Sequence, residues 1–455
     1  MNEILREHPY LGRDELALYV LEAGRKFKEK YIIPNAHELD KKLLLQPQYH
    51  PDEIVRKGCE FRFFSLPIPK FIGGLGGGPL HVSLLMEELC SGCAGIANIF
   101  GAHYLGLAGA LVSGDLYIYG NFVSEVVKGE RENKPVIFSA AITEPTAGTD
   151  VEERELLQRA KLVLSAKRVE NGYLLNGRKV FISNGSIADY NIVVCAIDKS
   201  RPLETFSGFV VPKGTKGFSA GRIELKMGQR ACHAAELVFE DCFIPEENRV
   251  GTEGDGMLAV ELVLSASRGP VGAIATGIAR GAYEKALEFA TNKKTKSGRL
   301  IDKQWVQLTL ADMDAMIRMA RNAYIQASIF FDRFILNKIM RGLPQSRILG
   351  GIFKSKSFIN LTKRDSLKRI WAEFIKRRID GRNLYTSFGL SSFAKFSCSD
   401  IAVKVCLMAM RILGAEGIEE RNFVEKYMRD AKLTQIYEGT NQLNRWTLFK
   451  TLVKK

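Results

Sequence analysis

Apolar positions recur at the helical period through the first third of the chain, with Leu16, Val20, Ala23, Phe27 and Tyr31 on one face. Ile33-Pro34 follows and predicts the end of that helix. From about residue 136 the rhythm shortens to alternating runs such as 190–196, set between Asn-Gly pairs, which predicts strands. Asn176-Gly177 reads as a hairpin turn and Asn184-Gly185 as the end of the strand that follows it. Beyond about 251 long helical stretches return, among them 271–290 and 308–336. Helices, sheet, helices is an α+β arrangement, divided here into an N-terminal helical domain 1–135, a central β-domain 136–250 and a C-terminal helical domain 251–455.

At 455 residues and 46% apolar content, the chain can bury large cores in two or three domains. No run of eighteen or more uncharged apolar residues occurs, and the first residues lack the apolar stretch of a signal peptide. A cytoplasmic enzyme is the expectation. The eight cysteines are spread from Cys59 to Cys406, and only Cys90-Ser91-Gly92-Cys93 is closely spaced. Reduced thiols are expected in so long a chain, and no metal site, because no second Cys/His pair at ligand spacing accompanies that one. Gly73-Gly74-Leu75-Gly76-Gly77-Gly78 is followed at once by Pro79, so it reads as a loop joining helices rather than a dinucleotide-binding turn.

Charge changes the picture in one place. Residues 338–382 hold thirteen Lys or Arg against three acids, a net +10 of the chain's +14. Within them Leu367, Ile370, Trp371, Phe374, Ile375 and Ile379 recur at helical spacing opposite Lys368, Arg369, Lys376, Arg377 and Arg378. Such a helix packs on its own protein, lies on an anionic membrane through 363–382 (which would make the enzyme peripheral to it), or docks an acidic partner. No motif for base readout accompanies the charge, so no nucleic-acid role is expected.

Two segments carry candidate chemistry. In Gln435-Ile436-Tyr437-Glu438-Gly439-Thr440-Asn441-Gln442, a lone carboxylate beside a glycine suggests a placed base, because the glycine lets the backbone turn sharply and a flat ligand lie against it. A helix-capping turn with a solvated Glu is the plainer reading of that motif alone. The apolar run at 136–138 enters Ala140-Ala141-Ile142-Thr143-Glu144-Pro145-Thr146-Ala147-Gly148-Thr149-Asp150, a small-residue loop whose N–H groups and hydroxyls suit a polar heterocycle or a phosphate.

With Asn176-Gly177-Arg178-Lys179-Val180-Phe181-Ile182-Ser183 between them, these segments resemble the acyl-CoA dehydrogenase family. Leu66-Pro67 through Gly73-Gly74-Leu75-Gly76, Lys226-Met227-Gly228-Gln229-Arg230, and Met428-Arg429-Asp430-Ala431-Lys432 leading into Tyr437-Glu438-Gly439-Thr440 extend the likeness over most of the chain. The resemblance implies FAD between the β-domain and the C-terminal bundle, and dehydrogenation of an acyl-CoA thioester to the 2-enoyl-CoA. Glu438 would take the pro-R α-proton while a hydride passes to flavin N5. An electron transfer flavoprotein or similar acceptor, and a homodimer or homotetramer, are implied as well. Carried over by position, Ile142, Thr143, Gly148, Thr149, Phe181, Ser183, Lys294, Arg411, Thr440 and Gln442 would serve the cofactor, and Thr149, Arg268 and Gly439 the substrate. Some relatives carry the base one residue before this arginine. Here that residue is Ser267, which points back to Glu438.

The chain departs from the family pattern at several of these positions. Phe181 stands where tryptophan is usual, Lys294 where arginine is, Arg411 where glutamine is, and Ala415 where glycine is. Glu152-Glu153-Arg154-Glu155 follows Asp150 where a small residue is common, and residues 338–392 have no evident counterpart. Two further readings follow: a non-catalytic, flavin-poor scaffold on the same fold, and a flavin oxidase.

Overall fold

The first apolar stripe forms helix α1 (Glu15–Phe27). Asp14 caps it, its carboxylate accepting the N–H groups of Leu16 and Ala17 at 3.0 and 3.1 Å. Val20, Ala23 and Phe27 are buried, as the periodicity requires. Ile33-Pro34 does not close the helix. A π-helical turn, Lys28–Ile32, absorbs the irregularity, and Pro34 sits in the first turn of α2 (Ile33–Leu45), where a missing N–H costs no hydrogen bond. These are features of a computed structural model, which describes residues 3–296, 298–341, 355 and 360–453.

The glycine cluster is a loop, as expected, and a Cβ on Gly74 would lie 2.1 Å from the Ile68 carbonyl oxygen. It feeds α3 (Pro79–Leu111), which one extended residue, Cys93, divides into two helical runs. All eight cysteines are buried and none is bonded to another.

The β-domain is one twisted sheet in the order β6-β7-β3-β2-β4-β5-β8, with β1 (Phe138–Ala141) parallel to β4 (Tyr190–Ala196). The other strands are β2 (Ser165–Val169), β3 (Gly172–Ser183), β5 (Phe206–Pro212), β6 (Phe218–Ile223), β7 (Ala234–Pro245) and β8 (Arg249–Val250). The hairpin turn expected at Asn176-Gly177 lies about five residues earlier: Val169 pairs with Gly172, and Asn171 takes φ +60° in the turn. Asn176-Gly177 is instead a bulge inside β3, where the register against β7 shifts. Gly177, at φ +134°, fills a place where a Cβ would meet Leu164 Cα at 2.6 Å. Asn184, at φ +61°, does end the strand.

The C-terminal bundle consists of α4 (Gly256–Asn292), α5 (Gln304–Phe331), α6 (Asp365–Lys376), α7 (Gly381–Leu413), α8 (Val424–Thr434) and α9 (Asn441–Val453). Both α3 and α4 are long and apolar enough to cross a membrane, with windows of mean hydropathy 1.3, but 72% of each window is buried inside the protein. They carry the centre of the core, where Glu87, Glu88, Arg280, Arg321 and Tyr324 form a buried polar network.

Helix α6 belongs to the basic stretch and packs on the protein's own body. Trp371, Phe374, Ile375 and Ile379 join Leu262, Phe331, Ile335 and Ile339 in one apolar cluster. The apolar face of the stripe is therefore covered by the protein's own core, with half-buried Leu367 and Ile370, 65% exposed, outside the cluster. Much of 338–359 lies outside the described residues.

Candidate active site

A cavity of about 220 Å³ opens between the β-domain, α3 and the C-terminal bundle, with Glu438 on one wall and Thr143, Phe181 and Ser183 on another. The β-domain wall is held by a buried ion pair. Lys179 on β3 donates to Glu144 at 2.9 Å and to the Ile142 carbonyl at 2.7 Å, and both charged side chains are wholly buried. Glu144 also accepts the N–H groups of Val163 and Leu164, while the Val180 N–H donates to Thr143 O at 3.0 Å. Burial pulls the Lys179 ammonium below its usual range and Glu144 opposes that pull. The loop after β1 is thus fixed to β3 by groups that have no other outlet for their charge.

Phe181 sits on that wall at φ +58° with its side chain 59% exposed. An exposed ring on a left-handed backbone is held at a cost of roughly 1–3 kcal/mol, and such strain clusters at ligand sites. A flat aromatic face lining a cavity suits a flat heterocycle.

The opposite wall is the turn between α8 and α9. Glu438 at φ +52° and Gly439 at φ +79° make two successive left-handed residues. The glycine is obligatory, because a Cβ there would stand 2.6 Å from Glu152 Oε2 and 3.0 Å from Arg268 Nη2. Ser267 Oγ donates to Glu438 Oε2 at 2.6 Å. Buried Arg268 donates to the Glu438 carbonyl at 3.2 Å, to Glu152 Oε2 at 3.0 Å and to Ser392 Oγ at 2.9 Å. From α7, Lys395 donates to Gly439 O at 2.7 Å and Asn441 Oδ1 at 2.9 Å, and Asn444 donates to Gly439 O at 2.9 Å. The carbonyls of Glu438 and Gly439 are thereby tied down.

Burial pushes the Glu438 carboxyl up to about 7, with Ser267, Arg268 and Lys395 pulling down and Glu152 pushing up. Burial pulls Lys395 down to about 7, assisted by Arg268, and raises Glu152. A carboxyl poised near neutrality in a mainly apolar cavity is able to exchange a proton with whatever the cavity holds.

Family comparison agrees with this geometry over most of the chain. The acyl-CoA dehydrogenase N-terminal domain matches residues 16–120, the middle domain 139–242, and the C-terminal domain 254–333 and 368–453. The chain belongs to the acyl-CoA dehydrogenase family. Among curated relatives, a short-chain-specific acyl-CoA dehydrogenase of Clostridium acetobutylicum is 30% identical, covering 92% of this chain and 93% of its own. The CarC subunit of the caffeyl-CoA reductase-Etf complex of Acetobacterium woodii is 27% identical over 89% of this chain and 90% of its own. The structure of butyryl-CoA dehydrogenase from Megasphaera elsdenii superposes with a TM-score of 0.76 at 28% identity, covering 97% of this chain and 98% of that one.

In this acyl-CoA dehydrogenase family member the expected positions divide into three groups. Ile142, Thr143, Phe181, Ser183 and Glu438 line one cavity, and Arg268 and Gly439 lie directly beneath Glu438. Gly148 and Thr149 are half-buried in the loop after β1, and Thr440 caps α9 by accepting the Leu443 N–H at 3.2 Å. Gln442, Lys294 and Arg411 are exposed and do not line the cavity. Lys294 lies in a short hairpin with Gly298–Arg299, beside the segment after Arg411, because Lys293 pairs with Glu416. Lys395, Glu152 and Ser392 were not anticipated as site residues. A signal for the first was present: buried Ser387, Ser391, Lys395 and Ser399 recur every fourth residue along α7, a polar stripe on an inward face.

Proposed function

We propose that this protein oxidises an acyl-CoA thioester to the 2-enoyl-CoA with FAD as cofactor and Glu438 as the base. The observation that carries the reading is a carboxyl raised to about 7, facing one cavity with the exposed ring of Phe181. The β-domain wall fits the cofactor: an aromatic face, the edge residues Ile142 and Thr143, and Ser183 at the end of β3 meet in it. When bound, FAD supplies the two-electron acceptor for the hydride that leaves the β-carbon.

The remaining work falls to this chain's own groups. Ser267 holds one oxygen of Glu438 and leaves the other for the α-proton. The left-handed turn points the Glu438 N–H away from helical pairing, and it donates to no carbonyl among the described residues, so it is free to meet the oxygen that gains charge as the proton leaves. Arg268 and Lys395 hold the carbonyls of the same turn, which keeps base and donor in register. Tyr437, Val271 and Ile274 keep the reacting carbons in apolar surroundings, where both effects are strongest.

An electron transfer flavoprotein as the acceptor is supported by the family, whose A. woodii relative is named for an Etf complex. A homo-oligomer, typical of the family, would give exposed Lys294 and Arg411 a neighbouring subunit to address. The test is the visible spectrum of the purified protein, recorded anaerobically with a panel of acyl-CoA thioesters. Bleaching of a flavin band in the wild type and not in Glu438→Gln is the expected result. A colourless protein that takes up no FAD would overturn the reading in favour of a scaffold, and bleaching that persists in the variant would remove Glu438 from the chemistry.

A further inference from the structure

The C-terminal family match skips residues 334–367, and the described part of that stretch reaches the cavity. Leu336, Ile339 and Met340 line it, next to Phe331 from the end of α5 and Val112 from the end of α3. Behind them stands α6, with Trp371 and Ile375 in the same apolar cluster as Ile339, Leu336 and Val112. The helix is pinned at three points. Lys368, almost wholly buried, pairs with Asp115 at 2.9 Å and donates to Arg249 O at 2.8 Å, Arg249 pairs with Asp365, and Lys376 pairs with Asp255 at 2.6 Å. Gly114 fits beneath it, since a Cβ there would meet Ile375 Cδ1 and Trp371 Nε1 at 3.0 Å.

The chemistry of the lining narrows the ligand. Among the described residues that line the cavity there is no Lys, Arg or His, and its only ionisable acids are Glu152 and Glu438. A second carboxylate on the substrate would therefore enter without a cation to pair it and beside two acids, a costly arrangement in apolar surroundings. The wall made by Leu336, Ile339 and Met340 offers no polar side chain for the amides of a thioester carrier. It suits hydrocarbon.

We propose that Leu336, Ile339 and Met340, backed by α6, are the specificity wall of this cavity, so that the substrate's acyl group is uncharged and wholly hydrocarbon and its length is limited by these three side chains. The inference rests on the thioester reading above and adds the class of acyl group. Trp371 and Ile375 act as positioning residues, holding the wall from behind.

The experiment compares kcat/KM for straight-chain thioesters from butyryl- to palmitoyl-CoA, together with glutaryl-CoA, in wild type, Ile339→Ala and Met340→Trp. Thioester affinity is measured by calorimetry on the same FAD-loaded proteins. Ile339→Ala is expected to favour longer chains by on the order of 10-fold relative to the wild-type optimum, as one or two methylenes are worth in an apolar pocket, and Met340→Trp to favour shorter ones. Glutaryl-CoA is expected to be the poorest substrate of its length. Parallel profiles in all three proteins, an equal loss at every chain length, or preference for glutaryl-CoA would each overturn the inference. Length-dependent binding with no flavin reduction would sink dehydrogenation and leave the wall standing. Should Ile339→Ala fail to fold, Met340→Trp alone decides, since it fills space rather than emptying it.

Discussion

Two clusters of buried charge stand in this protein, built from the same residue types and poised oppositely. In the core between α3, α4 and α5, Glu87 accepts from Arg321 at 2.7 Å, Arg280 at 3.1 Å and Tyr324 at 2.6 Å. Burial alone would raise its carboxyl, but Arg321 and Arg280 outweigh that and hold it below the usual range. Beneath the cavity, Glu438 has one hydroxyl on its carboxylate, while Arg268 and Lys395 give their hydrogen bonds to backbone carbonyls and to Glu152. Burial then prevails and the carboxyl rises to about 7. Where the cations aim decides whether a buried carboxylate is a brace or a base.

The largest test of that contrast is Glu438→Gln, expected to lower the rate of thioester oxidation by about 10²–10⁴-fold with the fold intact, checked by stopped-flow absorbance and circular dichroism. On the other cluster, Arg280→Met is expected to cost about 3–5 kcal/mol in urea unfolding, because it strands Glu87 and Glu88 partly unpaired, while the pH dependence of turnover stays where it was. The two acids should also pull stability in opposite directions with pH. Glu438 holds its proton more tightly folded than unfolded, so its contribution is complete below pH 4.5 and is lost as pH rises through about 7, a fall of about 2 kcal/mol after discounting for partial exposure. Glu87 behaves conversely: its contribution is present above pH 4.5 and lost as pH falls below it. Unfolding curves of Glu438→Gln and wild type should therefore separate at pH 8 and converge at pH 4. The smallest effect is that of Glu152→Gln. Removing a negative charge that raises the base should move the acidic limb of the kcat/KM profile to lower pH by about half a pH unit.

The contrast also marks what the sequence could disclose. Glu438 was legible because Tyr437, Gly439 and Thr440 surround it in a short motif, and the helical and alternating periods disclosed the order helices, sheet, helices. Local signals failed where long-range packing competes with them. Asn176-Gly177 has the composition of a hairpin turn, yet the partner strand β7 continues past it and converts it into a bulge. The apolar stripe of α6 has the pattern of a membrane-surface helix, but whether a core receives that stripe depends on Leu262, Phe331 and Ile339, far away in sequence. The places of Lys395 and Glu152 in the site were illegible for the same reason, since they meet Gly439 and Arg268 from other elements.

The hydrogen bond of 2.6 Å between Ser267 and Glu438 spans 171 positions of sequence and joins helix α4 to the turn between α8 and α9. A carboxylate grown from position 267 would arrive at nearly the same point in space. The fold therefore holds two addresses for one carboxylate, and this chain occupies the later while keeping a hydroxyl at the earlier as its tether. Exchanging the two side chains would ask whether the proposed proton acceptor must come from the turn, or whether only the position of its oxygen counts.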